Sequence, residues 1–99
     1  MLERDLQKQC NELLRVLNIP FFHIEKGRSL NKWHRQGFPD LMFIVNGKFY
    51  MVELKKTDGV ISDKQLEILR HWGSYGAQCH VCFSFEAFEG LLKREKIIA

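Results

Sequence analysis

Two apolar runs on either side of Asn46-Gly47 constrain the fold of this chain more than any other feature. An Asn-Gly pair between such runs is typical of a β-hairpin with a two-residue type I′ turn. In that turn Val45 pairs with Lys48, and the pairing continues outward one residue at a time on each strand. The register therefore places Asp40 opposite Glu53 at the open end of the hairpin.

Three charged side chains meet at the open end of this otherwise apolar hairpin. Because side chains alternate along a strand, Lys55 is expected on the same face as Asp40 and Glu53, whereas Lys56 points to the other face. Carboxylates placed directly opposite each other repel, so a positive group is expected between them. A β-bulge would shift the pairing by one residue without separating these charges.

Two carboxylates beside a lysine fit the chemistry of phosphodiester hydrolysis. Carboxylate oxygens bind Mg²⁺, which retains most of its waters and can bind a phosphate oxygen. The metal polarises the phosphoryl group and helps to generate hydroxide, and a nearby ammonium group can orient that water or offset developing charge. The alternative is structural: Pro39-Asp40 is then a turn at the start of a strand, and Glu53 and Lys55 are solvated residues at a strand end.

Hydrophobic spacing and turn residues divide the rest of the chain into helices and strands. The predicted elements are a helix over residues 2–17, a strand over 21–25, a helix over 62–73, a strand over 78–83 and a helix over 84–96. Ser62 with Gln65 can start the second helix as a capping box, and Ser84 can cap the third. With the hairpin included, the order is α-β-β-β-α-β-α. Both faces of the hairpin are apolar, which predicts an α/β fold whose mixed central sheet is flanked by helices.

Size and composition indicate one small domain over residues 1–99. A chain of this length leaves much apolar surface in contact with water, so part of that surface is expected to lie against a second copy. The net charge of +3 permits nucleic-acid binding without demonstrating it. No run has the length of a membrane span, no signal-peptide pattern is present, and the three cysteines are an odd number. These features predict a cytoplasmic protein with reduced thiols.

Three short motifs carry a resemblance to a known family. Gly37-Phe38-Pro39-Asp40, Glu53-Leu54-Lys55 and Ser62-Asp63-Lys64-Gln65, in this order and spacing, resemble the VRR-NUC family of the PD-(D/E)xK nuclease superfamily. Within that family the chain is similar to the small stand-alone nucleases of viruses and phages, which would place it in the host cytoplasm. The resemblance covers nearly the whole chain and implies a restriction-endonuclease-like αβββαβα core.

The resemblance also implies an activity. It implies DNA cleavage that depends on Mg²⁺ or Mn²⁺, with Asp40 and Glu53 as metal ligands and Lys55 as the catalytic lysine. It further implies that the backbone carbonyl of Leu54 contributes to the metal site. Stand-alone members of this size resemble homodimeric Holliday junction resolvases, which suggests branched DNA such as four-way junctions as the substrate.

Two further residues are candidates for supporting roles. The superfamily often adds a glutamate from the first helix, and Glu3 falls on the buried stripe of that helix, whereas Asp5 and Glu12 point to its polar side. Glu3 can equally be a favourable anion at a helix N-terminus. Gln65 matches a family position near the lysine, where it would orient the lysine or the water, but it can equally serve only as the capping partner of Ser62.

A basic segment before Asp40 is the best candidate for DNA contact. It combines cations with an aromatic side chain that could stack on a base, and its candidate residues are Lys26, Arg28, Lys32, Trp33, His34 and Arg35. Lys56 could contact phosphate from the edge of the site. Such a segment can also be ordinary solvated surface, and Lys56 can be a charge that keeps a sheet edge from pairing.

Two other features have structural explanations that need no functional role. Cys79 and Cys82 have the spacing of a metal or redox pair, but they fall in a predicted strand, where positions three apart face opposite sides. A zinc site would also need a second ligand pair, so buried thiols are expected. Phe88, Leu91 and Leu92 of the last helix could form a dimer interface, but core packing explains them equally well.

Together these features predict a homodimeric, Mg²⁺-dependent, structure-selective DNA endonuclease that resembles a Holliday junction resolvase. Sequence readout is not expected, because no major-groove recognition helix is evident. One alternative is a noncatalytic DNA-binding module on a nuclease fold. Another is a nicking or restriction-like endonuclease.

Overall fold

The structure is a computed structural model that describes residues 2–23 and 38–99. These residues form three helices and one four-stranded sheet: α1 (Glu3–Val16), β1 (Phe21–His23), β2 (Leu41–Val45), β3 (Lys48–Leu54), α2 (Asp63–Ser74), β4 (Gln78–Cys82) and α3 (Phe85–Arg94). The strand order is β1-β2-β3-β4. The β3-β4 pair is parallel and the other two pairs are antiparallel, so the predicted element order and the mixed sheet are confirmed.

The β2-β3 hairpin has the predicted turn and register. Asn46 and Gly47 have φ values of 53° and 76°, the left-handed region that a type I′ turn requires at both central positions. Pairing runs without a bulge from Val45 opposite Lys48 to Leu41 opposite Val52. One further step along this register brings Asp40 opposite Glu53, which is where the functional candidates were expected.

Helices α1 and α3 cover one face of the sheet. Their buried side chains pack against alternate residues of the hairpin, and the resulting core includes Leu6, Cys10, Leu14, Leu41, Phe43, Tyr50, Val52, Leu54, Phe88, Leu91 and Leu92. Burial of each leucine in this group stabilises the fold by about 1.5–3 kcal/mol. Phe88, Leu91 and Leu92 are fully buried within a single chain, so core packing, and not a dimer interface, accounts for them.

The first helix differs from its predicted start. Leu2, counted with the apolar stripe, precedes the helix as its N-cap residue and is 54% exposed. Its side chain makes no capping hydrogen bond, because leucine has no acceptor for the first N–H groups. Glu3, the first residue of α1, is half-buried, whereas Asp5 and Glu12 are exposed on the polar side as predicted.

Helix α2 covers the opposite face of the sheet. Its start is the predicted capping box, in which Ser62 Oγ accepts from the Gln65 N–H and Gln65 Oε1 accepts from the Ser62 N–H. Near its end, Trp72 packs edge-on against Phe38 with ring centroids 5.7 Å apart. The α3 start is capped by Ser84 Oγ, which accepts from the Ala87 N–H at 3.0 Å. Both faces of the sheet therefore carry helices, although Phe22 and Ile44 on the α2 side remain exposed.

The cysteine positions agree with the predicted opposite faces. Cys82 lies in the core under α1 and α3, whereas Cys79 lies on the α2 side beside Gly73. All three cysteines are free. Burial raises the pKa of the Cys82 thiol to about 11 and that of Cys10 to about 12, so neither is a nucleophile at neutral pH. None of the helices in the described ranges is long and apolar enough to cross a membrane.

Candidate active site

Hydrogen bonds from main-chain N–H groups connect Asp40 and Glu53. The Asp40 N–H donates to Glu53 Oε1 at 3.2 Å, and the Leu54 N–H, next to Glu53, donates to Asp40 Oδ2 at 2.8 Å. Hydrogen bonds to a carboxylate are stronger than those between neutral groups, and they offset part of the repulsion between the two acids. Both carboxylates are buried, and Glu53 is 0% exposed.

Gln65 connects the second helix to Glu53. Its Oε1 atom accepts from the Ser62 N–H, and its Nε2 atom donates to Glu53 Oε2. The predicted capping role is therefore confirmed, and the nitrogen of the same side chain binds a buried carboxylate. The role of Gln65 in orienting the lysine or the water stays a prediction. The sequence indicated the capping box, but the bond to Glu53 arises only when α2 packs on the sheet.

Lys55 supplies a positive charge beside Glu53. Its Nζ atom lies 3.5 Å from Glu53 Oε2, and its side chain is only 13% exposed. Lys56 behaves differently, because its exposed side chain lies 3.9 Å from Asp58 and next to a separate surface depression near Phe85. The predicted separation of the two neighbouring lysines is therefore confirmed.

Asp40 also opens onto a cavity of about 350 Å³ between α1 and the end of the hairpin. The cavity is lined by Glu3, Arg4, Gln7, Lys8, Asn11, His23, Asp40 and Leu54. Strand pairing ends at Leu41, so the alternation of side chains along β2 does not determine where Asp40 points. Asp40 lies on the α1 side of the sheet, where it lines the cavity. Glu3 therefore shares a cavity with Asp40, whereas Glu53 and Lys55 meet Gln65 on the α2 side.

Sequence reasoning missed a buried polar chain on the wall of this cavity. Gln7 Nε2 donates to Asn11 Oδ1 at 3.0 Å, and Asn11 Nδ2 lies 3.3 Å from His23 Nδ1. Gln7 and Asn11 are buried even though both are polar. Their spacing of four residues beside the stripe of Leu6, Cys10 and Leu14 is the one signal in the sequence, since such pairs share a helix face.

The oxygen donors at the hairpin end suit a hard cation. Asp40 and Glu53 are neighbouring carboxylates, and the Leu54 N–H faces Asp40, so its carbonyl projects from the same side of the strand. Within the described ranges, no group of three or more His, Cys, Asp or Glu side chains is arranged to hold a metal ion. Mg²⁺ is commonly held by one or two carboxylates together with waters and substrate phosphate, so this donor set fits Mg²⁺ better than Zn²⁺.

The predicted DNA-contact segment lies outside the described residues. This applies to Lys26, Arg28, Lys32, Trp33, His34 and Arg35, and also to Gly37 of the first motif. In the described part of the chain, Arg4 and Lys8 are cations that line the Asp40 cavity. Neither was selected from the sequence, because a charge on the polar side of an amphipathic helix is usually only solvated.

Comparison with solved structures supports the family resemblance. A structure described as "VRR_NUC domain" matches with a TM-score of 0.72 and 26% sequence identity, and the match covers 92% of this chain and 94% of that chain. No protein-family model matches the sequence, and neither does any curated protein. The match covers nearly the whole of both chains, so the fold is shared with that domain.

Proposed function

We propose, on the premise that this chain is a VRR-NUC domain of the PD-(D/E)xK type, that it is a nuclease that hydrolyses DNA phosphodiester bonds with the help of a divalent cation. One observation carries this proposal: at the end of the hairpin a hydrogen bond links Asp40 to Glu53, Lys55 lies beside Glu53, and Asp40 opens onto a cavity. A purely structural hairpin end has no need of two buried carboxylates, because buried charge is costly unless it is partnered.

Asp40, Glu53 and the Leu54 carbonyl would hold Mg²⁺ or Mn²⁺, which supplies Lewis-acid stabilisation of phosphoryl charge and a more acidic bound water. Hydrogen bonds from the chain fix both carboxylates before any ligand arrives. Such preorganisation is effective because these groups need no rearrangement during the reaction. Glu3 supports the site from α1, where it shares the cavity with Asp40.

Lys55 would orient the attacking water or offset negative charge on the phosphate. Its ammonium group lies beside Glu53 Oε2, so the carboxylate holds it in place. Its limited exposure reduces competition from bulk water for the same charge. Gln65 acts through Glu53: it restrains the carboxylate that in turn restrains Lys55.

The substrate is proposed to be branched DNA, and the enzyme is proposed to act as a homodimer. Two sites related by a two-fold axis would suit paired cuts across a four-way junction. Lys26, Arg28, Lys32, Trp33, His34, Arg35 and Lys56 are proposed to contact the DNA backbone or an exposed base. Nicking and restriction-like cleavage are the alternatives within the same chemistry, and the products formed on junction and duplex DNA distinguish them.

The deciding experiment compares junction, flap and plain duplex DNA with and without Mg²⁺. Asp40→Asn keeps an oxygen that can accept from the Leu54 N–H, so it removes charge with little change in shape. We expect it to lower the cleavage rate by roughly 100- to 1,000-fold. Asp5→Asn is the matched control on the exposed side of α1 and should cut as the wild type does.

Two results would contradict the nuclease proposal. One is DNA binding by the wild type without cleavage in Mg²⁺ or Mn²⁺, which would favour a noncatalytic DNA-binding module. The other is equal cleavage by the wild type and Asp40→Asn, which would place the chemistry elsewhere. Light scattering of the wild type with and without junction DNA tests the dimer separately.

A further inference from the structure

A chain of three polar side chains runs from α1 to β1 along the wall of the Asp40 cavity. Gln7 Nε2 donates to Asn11 Oδ1, and Asn11 Nδ2 lies within hydrogen-bond distance of His23 Nδ1. Gln7 and Asn11 are buried, and His23 is half-buried. Burying two amides in an amphipathic helix is unfavourable unless their hydrogen bonds are made, so this arrangement depends on all three residues.

The direction of these hydrogen bonds fixes the protonation pattern of the imidazole. Because Asn11 Oδ1 accepts from Gln7, the Asn11 amide group that faces His23 is a donor. His23 Nδ1 must then be the acceptor, and the neutral ring carries its proton on Nε2. Gln7 and Asn11 thus act as positioning residues that hold a single N–H donor in one tautomer.

The cavity wall also carries the charges that suit a nucleic-acid backbone. Arg4 and Lys8 lie four residues apart in α1 and line the same cavity as His23 and Asp40. Its volume of about 350 Å³ lies within the roughly 300–1,000 Å³ of small-ligand sites. The carboxylates of Glu3 and Asp40 repel an anion, so phosphate enters when a divalent cation offsets their charge.

We propose that His23 donates its Nε2–H to a phosphate oxygen of the DNA strand bound at Asp40, with Asn11 and Gln7 holding the ring for this contact. The inference rests on the proposed nuclease function and adds a substrate contact from β1. A donor without net charge adds a contact to phosphate without adding a further cation beside Asp40 and Glu3, where it could compete with a metal.

A purely structural role for the chain would be to tie α1 to β1. The substitution His23→Asn separates the two roles. Asparagine offers an acceptor near the position of Nδ1, so the tie to Asn11 is kept, but its side chain ends before the position of Nε2. His23→Ala removes both the tie and the donor. His71→Asn, on the exposed surface of α2, is the matched control for the same change of residue type.

The test measures kcat and KM for junction and duplex DNA in Mg²⁺, together with the thermal midpoint of each variant. Loss of a hydrogen bond to a charged group corresponds to roughly a 10- to 100-fold effect. We expect a loss of that size in kcat/KM for both His23 variants, with the wild-type midpoint retained by His23→Asn. Equal kcat/KM for His23→Asn and the wild type would overturn the inference.

A second measurement determines which nitrogen of the His23 ring carries the proton. In ¹⁵N spectra of labelled Asp40→Asn, which we expect to cut DNA slowly, His23 should show an unprotonated Nδ1 and an Nε2–H resonance that shifts when duplex DNA and Mg²⁺ are added. A proton on Nδ1 in the neutral ring, or an unshifted Nε2–H, contradicts the proposed contact. Asn11→Leu should release the tautomer preference.

The same samples separate failure of this inference from failure of the nuclease proposal. If the wild type cuts and His23→Asn cuts equally well, the nuclease stands and the His23 contact falls. If the wild type binds DNA without cutting and His23→Asn binds at least tenfold more weakly, the contact stands and the nuclease falls. If the wild type neither binds nor cuts DNA, both proposals fall.

Discussion

Asp40 and Glu53 exchange hydrogen bonds across the end of the hairpin, since the Asp40 N–H donates to Glu53 and the amide after Glu53 donates to Asp40. Each acid thus depends on the backbone that carries the other. Asp40→Asn keeps an oxygen that can accept from the Leu54 N–H, so it tests charge while largely preserving geometry. Both oxygens of Glu53 accept hydrogen bonds, so Glu53→Gln would also place an NH2 group against a donor.

Substitutions of Lys55 and of its sequence neighbour Lys56 should affect DNA cleavage differently. Lys55→Met removes the cation beside Glu53, and we expect the cleavage rate to fall by roughly 100-fold or more, the lower end for loss of a positioned catalytic group. Lys56→Met removes an exposed lysine that is proposed to contact DNA, so it should weaken DNA binding by roughly threefold, the effect of one screened surface charge, and leave the rate at saturating DNA unchanged. Rates of DNA cleavage in Mg²⁺ test both, and equal losses for the two variants would contradict the assignment of Lys55.

The role of Glu3 can be tested against another glutamate of the same helix. Glu3→Gln removes a charge from the Asp40 cavity, and we expect a roughly tenfold rise in the Mg²⁺ concentration that gives half-maximal cleavage, the effect of about 1.4 kcal/mol. Glu12→Gln lies on the exposed side, where its partner is Arg15, and should leave this concentration unchanged. If Glu3→Gln requires no more Mg²⁺ than the wild type, Glu3 is only a charge at a helix start.

Variants of Ser62 and Gln65 can distinguish helix capping from support of the active site. Ser62→Ala removes one half of the capping box and should lower the free energy of unfolding by about 1 kcal/mol, with cleavage retained at a temperature where the variant is folded. Gln65→Leu also leaves Glu53 without its amide donor, which adds roughly 1–3 kcal/mol and should reduce cleavage. Denaturant titrations and cleavage assays of both variants are needed. Equal activity of the two folded variants would mean that Gln65 only caps the helix.

The hydrogen bond between Tyr50 and Glu95 should make the free energy of unfolding depend on pH in the acidic range. The Tyr50 hydroxyl donates to Glu95 Oε1 at 2.7 Å, and this bond lowers the pKa of the Glu95 carboxyl. A lowered pKa in the folded state stabilises the protein above the ordinary carboxyl pKa, and that contribution is lost as the pH falls through the lowered value. The difference in free energy of unfolding between wild type and Tyr50→Phe should therefore shrink from about pH 7 to about pH 3. Tyr75→Phe, at an exposed tyrosine, should show no such trend.

The hairpin end could be predicted in detail because its determinants are local. Asn46 and Gly47 dictate the turn, the turn dictates the register, and the register brings Asp40 to Glu53. The starts of α2 and α3 were equally accessible, since the caps at Ser62 and Ser84 involve residues three positions apart. These features depend on short stretches of chain, where spacing in sequence and distance in space correspond.

The supporting contacts could not be predicted because they join distant elements. The bond from Gln65 to Glu53 requires α2 to pack on the sheet, and the chain from Gln7 to His23 requires α1 to lie over β1. Asp40 reaches the cavity because pairing stops at Leu41, an end effect that strand alternation does not describe. The sequence offered residue types for these contacts, but only packing selects the partners.

The closeness of the charged groups along the chain bears on the order in which the site assembles during folding. Asp40 and Glu53 are 13 positions apart, and hairpins close in roughly 1–10 μs. The two acids therefore meet early, when Lys55 on the same strand is the nearest positive charge to reduce their repulsion. Gln65 and Glu3 reach the site only through slower docking of α2 and α1 on the sheet, and His23 reaches it through pairing of β1 with β2. The charges that would hold a metal are gathered first, and the surroundings that restrain them form around an existing pair.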